Sequence, residues 1–365
     1  MFLAWNEIKH SKLRYFLIIG VMALIAYLVF FLIGLAYGLA EDNRTAADKW
    51  QADAIVLTDE ANVNMSMSMM PADSINDVSA AETAVLGQSP SVAQVNGRND
   101  SLDKINVSIF GIEPDSFIAP NVIDGVMFAD DYEAVVDNSM HLEDGVELGD
   151  LLYLAGVDKP VKVVGFTDNA KFSISPVLYT TLDTFRDVRF AKSGGIGVKN
   201  DIINAIIVRA TDHDAANVTV SKSDLKVYPI NTYINKLPGY QAQVLTFGLM
   251  IGFLVVIAAV VIGIFIYVFT LQKAAIFGVM KAQGISNGYI SKAVIIQTLL
   301  LAVLGFGLGA GLTLLTALFL PAAVPFRIEA LYFGGLFLIL VFSSVLGALF
   351  SVRTVVKVDP LKAIS

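Results

Sequence analysis

The chain has 365 residues, of which 55% are hydrophobic and only 16% charged, with a mean hydropathy of +0.66 and a formal net charge of −8. A soluble domain carries about 25% charged residues, so this balance excludes an ordinary water-soluble protein. The absence of cysteine excludes disulfides, thiolate metal sites and a cysteine nucleophile. The charge is sharply partitioned: residues 41–244 hold 30 of the 33 acidic and 15 of the 25 basic residues, which leaves that segment at −15 and the remainder at +7.

Residues 1–15 form a short N-terminal segment carrying Lys9, Lys12 and Arg14, and an apolar stretch follows over 16–40. That stretch outruns the 7–15 apolar residues of a secretory signal, and no small-x-small cleavage site follows it, so it reads as a retained first span. Across 41–244 the membrane character disappears. Asp53-Ala-Ile-Val-Leu-Thr58, Ile105 to Ile112, Glu133-Ala-Val-Val-Asp137, Leu151 to Leu154, Val161 to Phe166 and Val177 to Thr180 read as strands separated by Gly, Asp and Pro breakers. The run Met65-Ser-Met-Ser-Met-Met70 offers soft thioethers to copper(I) or haem iron. With no histidine or cysteine nearby, the plainer reading is a flexible loop or apolar contact. His10, His141 and His213 are too scattered to make a metal site.

Three further spans follow at 245–271, 290–320 and 331–352, each meeting the requirement of about 20 apolar residues. The third is longer than a bilayer needs and should tilt or project. Between the second and third, residues 272–289 predict a short amphipathic helix ending near Gly284, with Ile276, Val279 and Met280 on one face. That connection carries Lys273, Lys281 and Lys292 in its neighbourhood and no acid. A link at 321–330 joins the last two spans, and the tail 353–365 carries Arg353, Lys357 and Lys362 against Asp359. The positive-inside rule therefore puts both termini and the 272–289 connection in the cytoplasm and the acidic 41–244 segment outside. The expected fold is an α-helical membrane protein with four transmembrane helices and a mixed α+β extracytoplasmic domain inserted between the first and second.

Several functions are excluded by what is missing. No Gly-x-x-x-x-Gly-Lys phosphate loop occurs and the dipeptide Gly-Lys is absent, so the chain supplies no ATPase of its own. No nucleophile elbow is present, and the spans are nearly free of charge, which argues against ion-coupled transport. Nothing marks it as an enzyme or a nucleic-acid binder.

One span, a large outside domain and three more spans, with the 272–289 connection and the tail Val358-Asp-Pro-Leu-Lys-Ala-Ile364, resemble permeases of the MacB/FtsX-type ABC superfamily. The family's Lys-Ala-x-Gly element appears as Lys281-Ala-Gln-Gly284. A narrower likeness is to the haem-efflux permeases of the HrtB group, through Lys12-Leu-Arg-Tyr-Phe16, Phe31 to Asn43, Gly239-Tyr-Gln-Ala-Gln243 and Tyr267 to Lys273. The resemblance implies a cell-membrane homodimer working with two copies of a cytoplasmic ABC ATPase, which binds the ATP. It implies coupling through Phe277, Met280, Lys281 and Gly284. It also implies haem as the transported ligand, with no resident cofactor or metal. The domain is short beside tripartite pumps of the superfamily, which argues against docking to an outer-membrane channel. Two alternatives stay open within the same architecture: FtsX-like transmission of force to an extracytoplasmic partner, and export of a lipid, lipoprotein or peptide antibiotic.

Helical geometry adds ligand candidates. Phe30, Gly34, Tyr37 and Glu41 share one face at the outer end of the first span, and Tyr240, Phe247 and Met250 or Ile251 share one on the second. They bring together aromatic surface, a thioether and oxygen ligands. Tyr240 stands first because it lies in a stretch matching the haem-efflux group; Glu41 stands second and Tyr179 is a weaker candidate. Tyrosines at such depths are equally well explained as belt residues. The pairs Gly34/Gly38 and Gly248/Gly252 suit close helix approach, a dimer interface or a mobile contact, and Gly305, Gly307, Gly309 and Gly311 suit intrachain packing.

Overall fold

The computed structural model describes residues 12–97, 103–190 and 201–356. Lys9, His10 and the 358–364 tail motif lie outside them. Contacts divide the chain into two units, 1–38 with 245–365 and 39–244.

The first unit is built on four helices long and apolar enough to cross a membrane. They are α1 (Lys12–Glu41), α6 (Tyr240–Leu271), α8 (Asn287–Ala317) and α9 (Ala330–Val356). At 1.5 Å per residue each exceeds the roughly 30 Å hydrocarbon thickness, and helical backbone bonding satisfies every peptide group without water. Their shared core is Met22, Ala26, Val29 and Phe30 from α1, Ala258, Ile262 and Ile266 from α6, Leu301, Ala302 and Phe306 from α8, and Leu336 and Leu340 from α9. Small residues set the spacing. A Cβ added at Gly305 would stand 2.6 Å from the Cβ of Met22, and one at Gly309 would stand 2.6 Å from the carbonyl oxygen of Ala23. Gly307 and Gly311 face open space, so of the four α8 glycines only Gly305 and Gly309 seat α1.

Gly34 and Gly38 are occupied differently from the helix-pairing expectation. Gly34 lies under the Phe326 ring and Gly38 under the Pro325 carbonyl, while the amide of Arg327 donates to the Gly34 carbonyl at 3.1 Å. The link before α9 thus lies on α1 and fills the notch those glycines leave. Gly248 and Gly252 have no atom within 4 Å of an added Cβ.

The 39–244 unit is organised around a mixed sheet of eleven strands. These are β1 (Ala54–Thr58), β2 (Glu82–Val95), β3 (Lys104–Gly111), β4 (Val122–Gly125), β5 (Glu133–Asp137), β6 (Leu151–Leu154), β7 (Val161–Thr167), β8 (Lys171–Phe172), β9 (Ser175–Thr180), β10 (Ala205–Arg209) and β11 (Leu225–Pro229). The order is β8-β9-β5-β7-β6-β2-β10-β1-β11, with β3 bridging β9 and β2 and β4 on the edge of β7. Only β9/β3 and β5/β7 run parallel among the described pairs. The fourteen-residue β2 changes partners along its length: 82–86 pair with β10, 87–94 with β3 and 93–95 with β6. Among the described residues the unit also holds four short α-helices, α2 (Thr45–Lys49), α3 (Ser139–Asp144), α4 (Leu182–Phe190) and α5 (Ile230–Asn235), with short 3₁₀ turns and two two-stranded sheets. Helix α4 rests on the sheet through Phe185, whose ring occupies the space where side chains at Gly87 and Gly111 would be.

Candidate ligand and coupling sites

Within the inserted unit, the residues that follow α1 meet those that open α6. Asn43 is buried, and its Nδ2 donates to the Leu39 carbonyl at 2.9 Å and to Oε1 of Gln243 at 3.0 Å. Arg44 forms a fork with Asp48 at 2.8 and 2.6 Å and also hydrogen-bonds the Tyr240 hydroxyl. The Asp48 hydrogen bond is the main reason that the guanidinium is held above its ordinary value, against the opposing effect of burial. The β8–β9 turn closes over this junction. Ser173 and Ile174, both at positive φ, donate their amides to the carbonyls of Asn43 and Asp42 at 3.0 and 3.1 Å. Lys171 lies 3.3 Å from both Asp42 and Glu143. Burial lowers its proton affinity, but the two carboxylates outweigh it and leave the ammonium favoured.

Tyr240 is only 7% exposed, with its ring in the main core of this unit alongside Tyr233, Ile234 and Leu237. Tyr179 is 1% exposed and meets Phe110 edge-on at 5.6 Å. Burial without a hydrogen-bond partner in the described set raises its pKa, so it is a core phenol with no face for a ligand, contrary to its place among the candidates. A cavity of about 130 Å³ adjoins this core, lined by Met65, Ser66, Gln88, Ser108, Phe172 and Tyr233 among others. Of the methionine run, Met65 and Met70 are buried while Met67 and Met69 are exposed.

In the helical unit the aromatic candidates separate. Phe30 is fully buried and stacks on Phe333 at 5.4 Å, a packing role that corrects its reading as ligand surface. Tyr37 is half-buried against Tyr332 at 5.3 Å. Phe247 is half-buried and Met250 is 41% exposed on the first half of α6. That helix is the least covered of the four: 17% of its most apolar stretch is buried, against 44% for α8. Glu41 is half-buried on the last residue of α1.

The amphipathic helix predicted after α6 is α7 (Ala274–Ala282). It ends in a Schellman motif: Gly284, at φ +82°, donates to Lys281 at 2.9 Å and Ile285 donates to Met280 at 3.0 Å. Its two sides differ. Phe277 is buried with Ile290, Val294 and Val352, and Met280 and Ile285 pack beside it. Ile276 and Val279 are exposed, with Lys281 half-buried next to them. Phe277 therefore anchors α7 to its own bundle, and Ile276 and Val279 are its exposed large apolar side chains.

Sequence reasoning missed the polar contacts of Lys273. It was grouped with flanking cytoplasmic charges, yet it is 5% exposed, with Nζ 2.9 Å from the Tyr15 hydroxyl and 3.0 Å from Oε1 of Gln297. A polar Gln inside a span was the available signal.

Residues 248–360 match the family model for the FtsX-like permease C-terminal domain. Over the whole chain and 99% of the relative, the sequence is 26% identical to a protein named as the hemin transport system permease HrtB of Staphylococcus haemolyticus. Over the same shares it is 22% identical to an uncharacterised ABC transporter permease of Mycobacterium bovis. The periplasmic region of MacB from Actinobacillus actinomycetemcomitans aligns at 12% identity, over 50% of this chain and 90% of that one, with a TM-score of 0.34. With four apolar helices, an α/β domain inserted in the chain between the first and second of them, and an FtsX-like permease domain spanning the last three, the chain is a multi-pass ABC transporter permease.

Proposed function

We propose that the permease exports haem, or a similar flat amphipathic ligand, from the membrane as a homodimer driven by two copies of a cytoplasmic ATPase. The observation that carries this reading is the uncovered first half of α6. A helix with so little intrachain burial has a face to give to a second copy or a ligand. Gly248 and Gly252 keep one side of that stretch smooth, and Phe247 and Met250 furnish aromatic surface and a soft thioether on the opposite side. Glu41, the last residue of α1, stays in the reading as an oxygen ligand of the kind that suits an iron centre. Tyr240, already tied to Arg44, would ligate only after leaving its core position. The likeness to hemin transport permeases points to the same ligand.

In this reading both termini and α7 face the cytoplasm and the inserted domain lies outside. Ile276, Val279, Lys281 and the Gly284 turn meet the ATPase, whose closure on ATP narrows the outer-leaflet cavity and expels the ligand. Hemin added to purified dimer in detergent should give a Soret band, weakened in Met250→Ala and in a Glu41→Ala/Tyr240→Phe pair. No band with the native protein would overturn the haem assignment.

A further inference from the structure

Lys273 occupies the elbow between α6 and α7. Its amide donates to the Thr270 carbonyl at 3.1 Å and its carbonyl accepts from Phe277 at 3.0 Å, so it ends one helix and starts the next. A lysine at the end of a span ordinarily extends its ammonium toward water. This one turns inward. Besides the contacts to Tyr15 and Gln297, its Nζ stands 4.7 Å from the Phe269 ring centroid. Gln297 Nε2 also donates to the Tyr15 hydroxyl, which closes a triangle of three side chains from α1, the elbow and α8. Tyr15 and Gln297 are as buried as the lysine, and the Tyr15 ring meets Phe269 edge-on at 5.4 Å.

Burying a cation is unfavourable unless directed hydrogen bonds compensate, and an apolar side chain would pack there more readily. The C-terminal carbonyls of α6 lower that cost by favouring positive charge at the elbow. What a polar triangle provides that apolar packing does not is direction. The contacts of Phe277, Met280 and Ile285 with α8 and α9 are apolar and can slide, whereas a hydrogen bond weakens steeply once its geometry is lost.

We propose that Tyr15, Lys273 and Gln297 form a three-way latch that makes α7 move as one body with the first turn of α1 and with α8. Lys273 is then the positioning residue through which displacement of α7 reaches α1. The proposal rests on the reading that α7 receives the ATPase stroke, and it is independent of which ligand is carried.

The test uses the full permease with its ATPase partner in liposomes. Breaking one corner, as in Lys273→Met, removes two of the triangle's three hydrogen bonds and keeps the third, whereas Lys273→Met/Gln297→Leu/Tyr15→Phe replaces the whole triangle with apolar groups. The triple variant should still bind the ATPase and hydrolyse ATP, while exporting at least fivefold less hemin per ATP. A second readout needs no ligand. The chain is free of cysteine, so spin labels at Leu17→Cys on α1 and Ala275→Cys on α7 report one distance without background. With the latch intact, that distance should stay fixed when ATP and vanadate trap the complex; in the triple variant it should change. Equal behaviour of the two proteins in the distance measurement would overturn the latch. A fixed distance in the parent and a changed one in the variant, without hemin export by either, would reject haem as cargo and uphold the latch.

Discussion

Gly309 of α8 lies directly on Ala26 of α1: a Cβ built on the glycine would stand 2.7 Å from that of the alanine. Backbone carbonyl and amide atoms of Ala23 and Tyr27 crowd the same point, so a flexible side chain cannot yield there. Gly309→Val should force α1 and α8 apart and cost about 1–3 kcal/mol, the usual range for overpacking. Gly307→Val, two residues away in open space, should be close to neutral. Thermal unfolding of both variants in detergent compares them, and equal melting temperatures would refute the close-approach account.

Gly284 ends α7 at φ +82°, a conformation that costs an L-residue about 1–2 kcal/mol. Gly284→Ala should therefore loosen the Schellman turn and lower the melting temperature, with Gly284→Asn intermediate because Asn tolerates the left-handed region. If α7 is the ATPase contact, the alanine variant should also retain less ATPase on co-purification. An alanine variant as stable as the parent would show that the turn does not depend on this glycine.

Tyr132 is partly buried and donates a 2.5 Å hydrogen bond to Asp187; burial first, then that bond, pushes the phenol up to about 12. The unfolded phenol ionises near 10. A raised folded value means that the stabilisation is complete below pH 10 and is lost as pH climbs from about 10 toward 12. Tyr179 and Tyr233 act in the same direction, so the informative quantity is the difference from Tyr132→Phe. That variant should lose less stability than the parent over this window, read as loss of β-sheet circular dichroism from the intact permease. Parallel curves would show that the Tyr132 hydroxyl does not titrate as described.

The strands at 105–111, 133–137 and 161–167 were legible because their apolar residues alternate or cluster between breakers. The longest strand, β2, was not. It contains Gly87 and Pro90, residue types that weaken or interrupt strand patterns, yet Gly87 is needed beneath Phe185, and Pro90 fits a strand that changes partners along its length. Among the ligand candidates, helical spacing placed Phe30 and Tyr37 on one face correctly. It could not say that Phe333 and Tyr332, some 300 residues on, would cover them. Exposure of Met250 and burial of Tyr179 were equally invisible, since both depend on neighbours distant in sequence.

The layout of four apolar helices, with an α/β domain inserted in the chain between the first and second, was determined by sequence alone. A bilayer demands about 20 apolar residues per span, and among the described residues four helices satisfy that demand. Which polar residue enters the bundle was decided only by the tertiary structure. Lys273, Lys281 and Lys292 look alike along the chain, and the positive-inside rule treats them alike. Lys273 is the buried one of the three, and acceptors 258 and 24 positions away, Tyr15 and Gln297, make its burial tolerable. The sequence could count the charge; only long-range contact could put it inside.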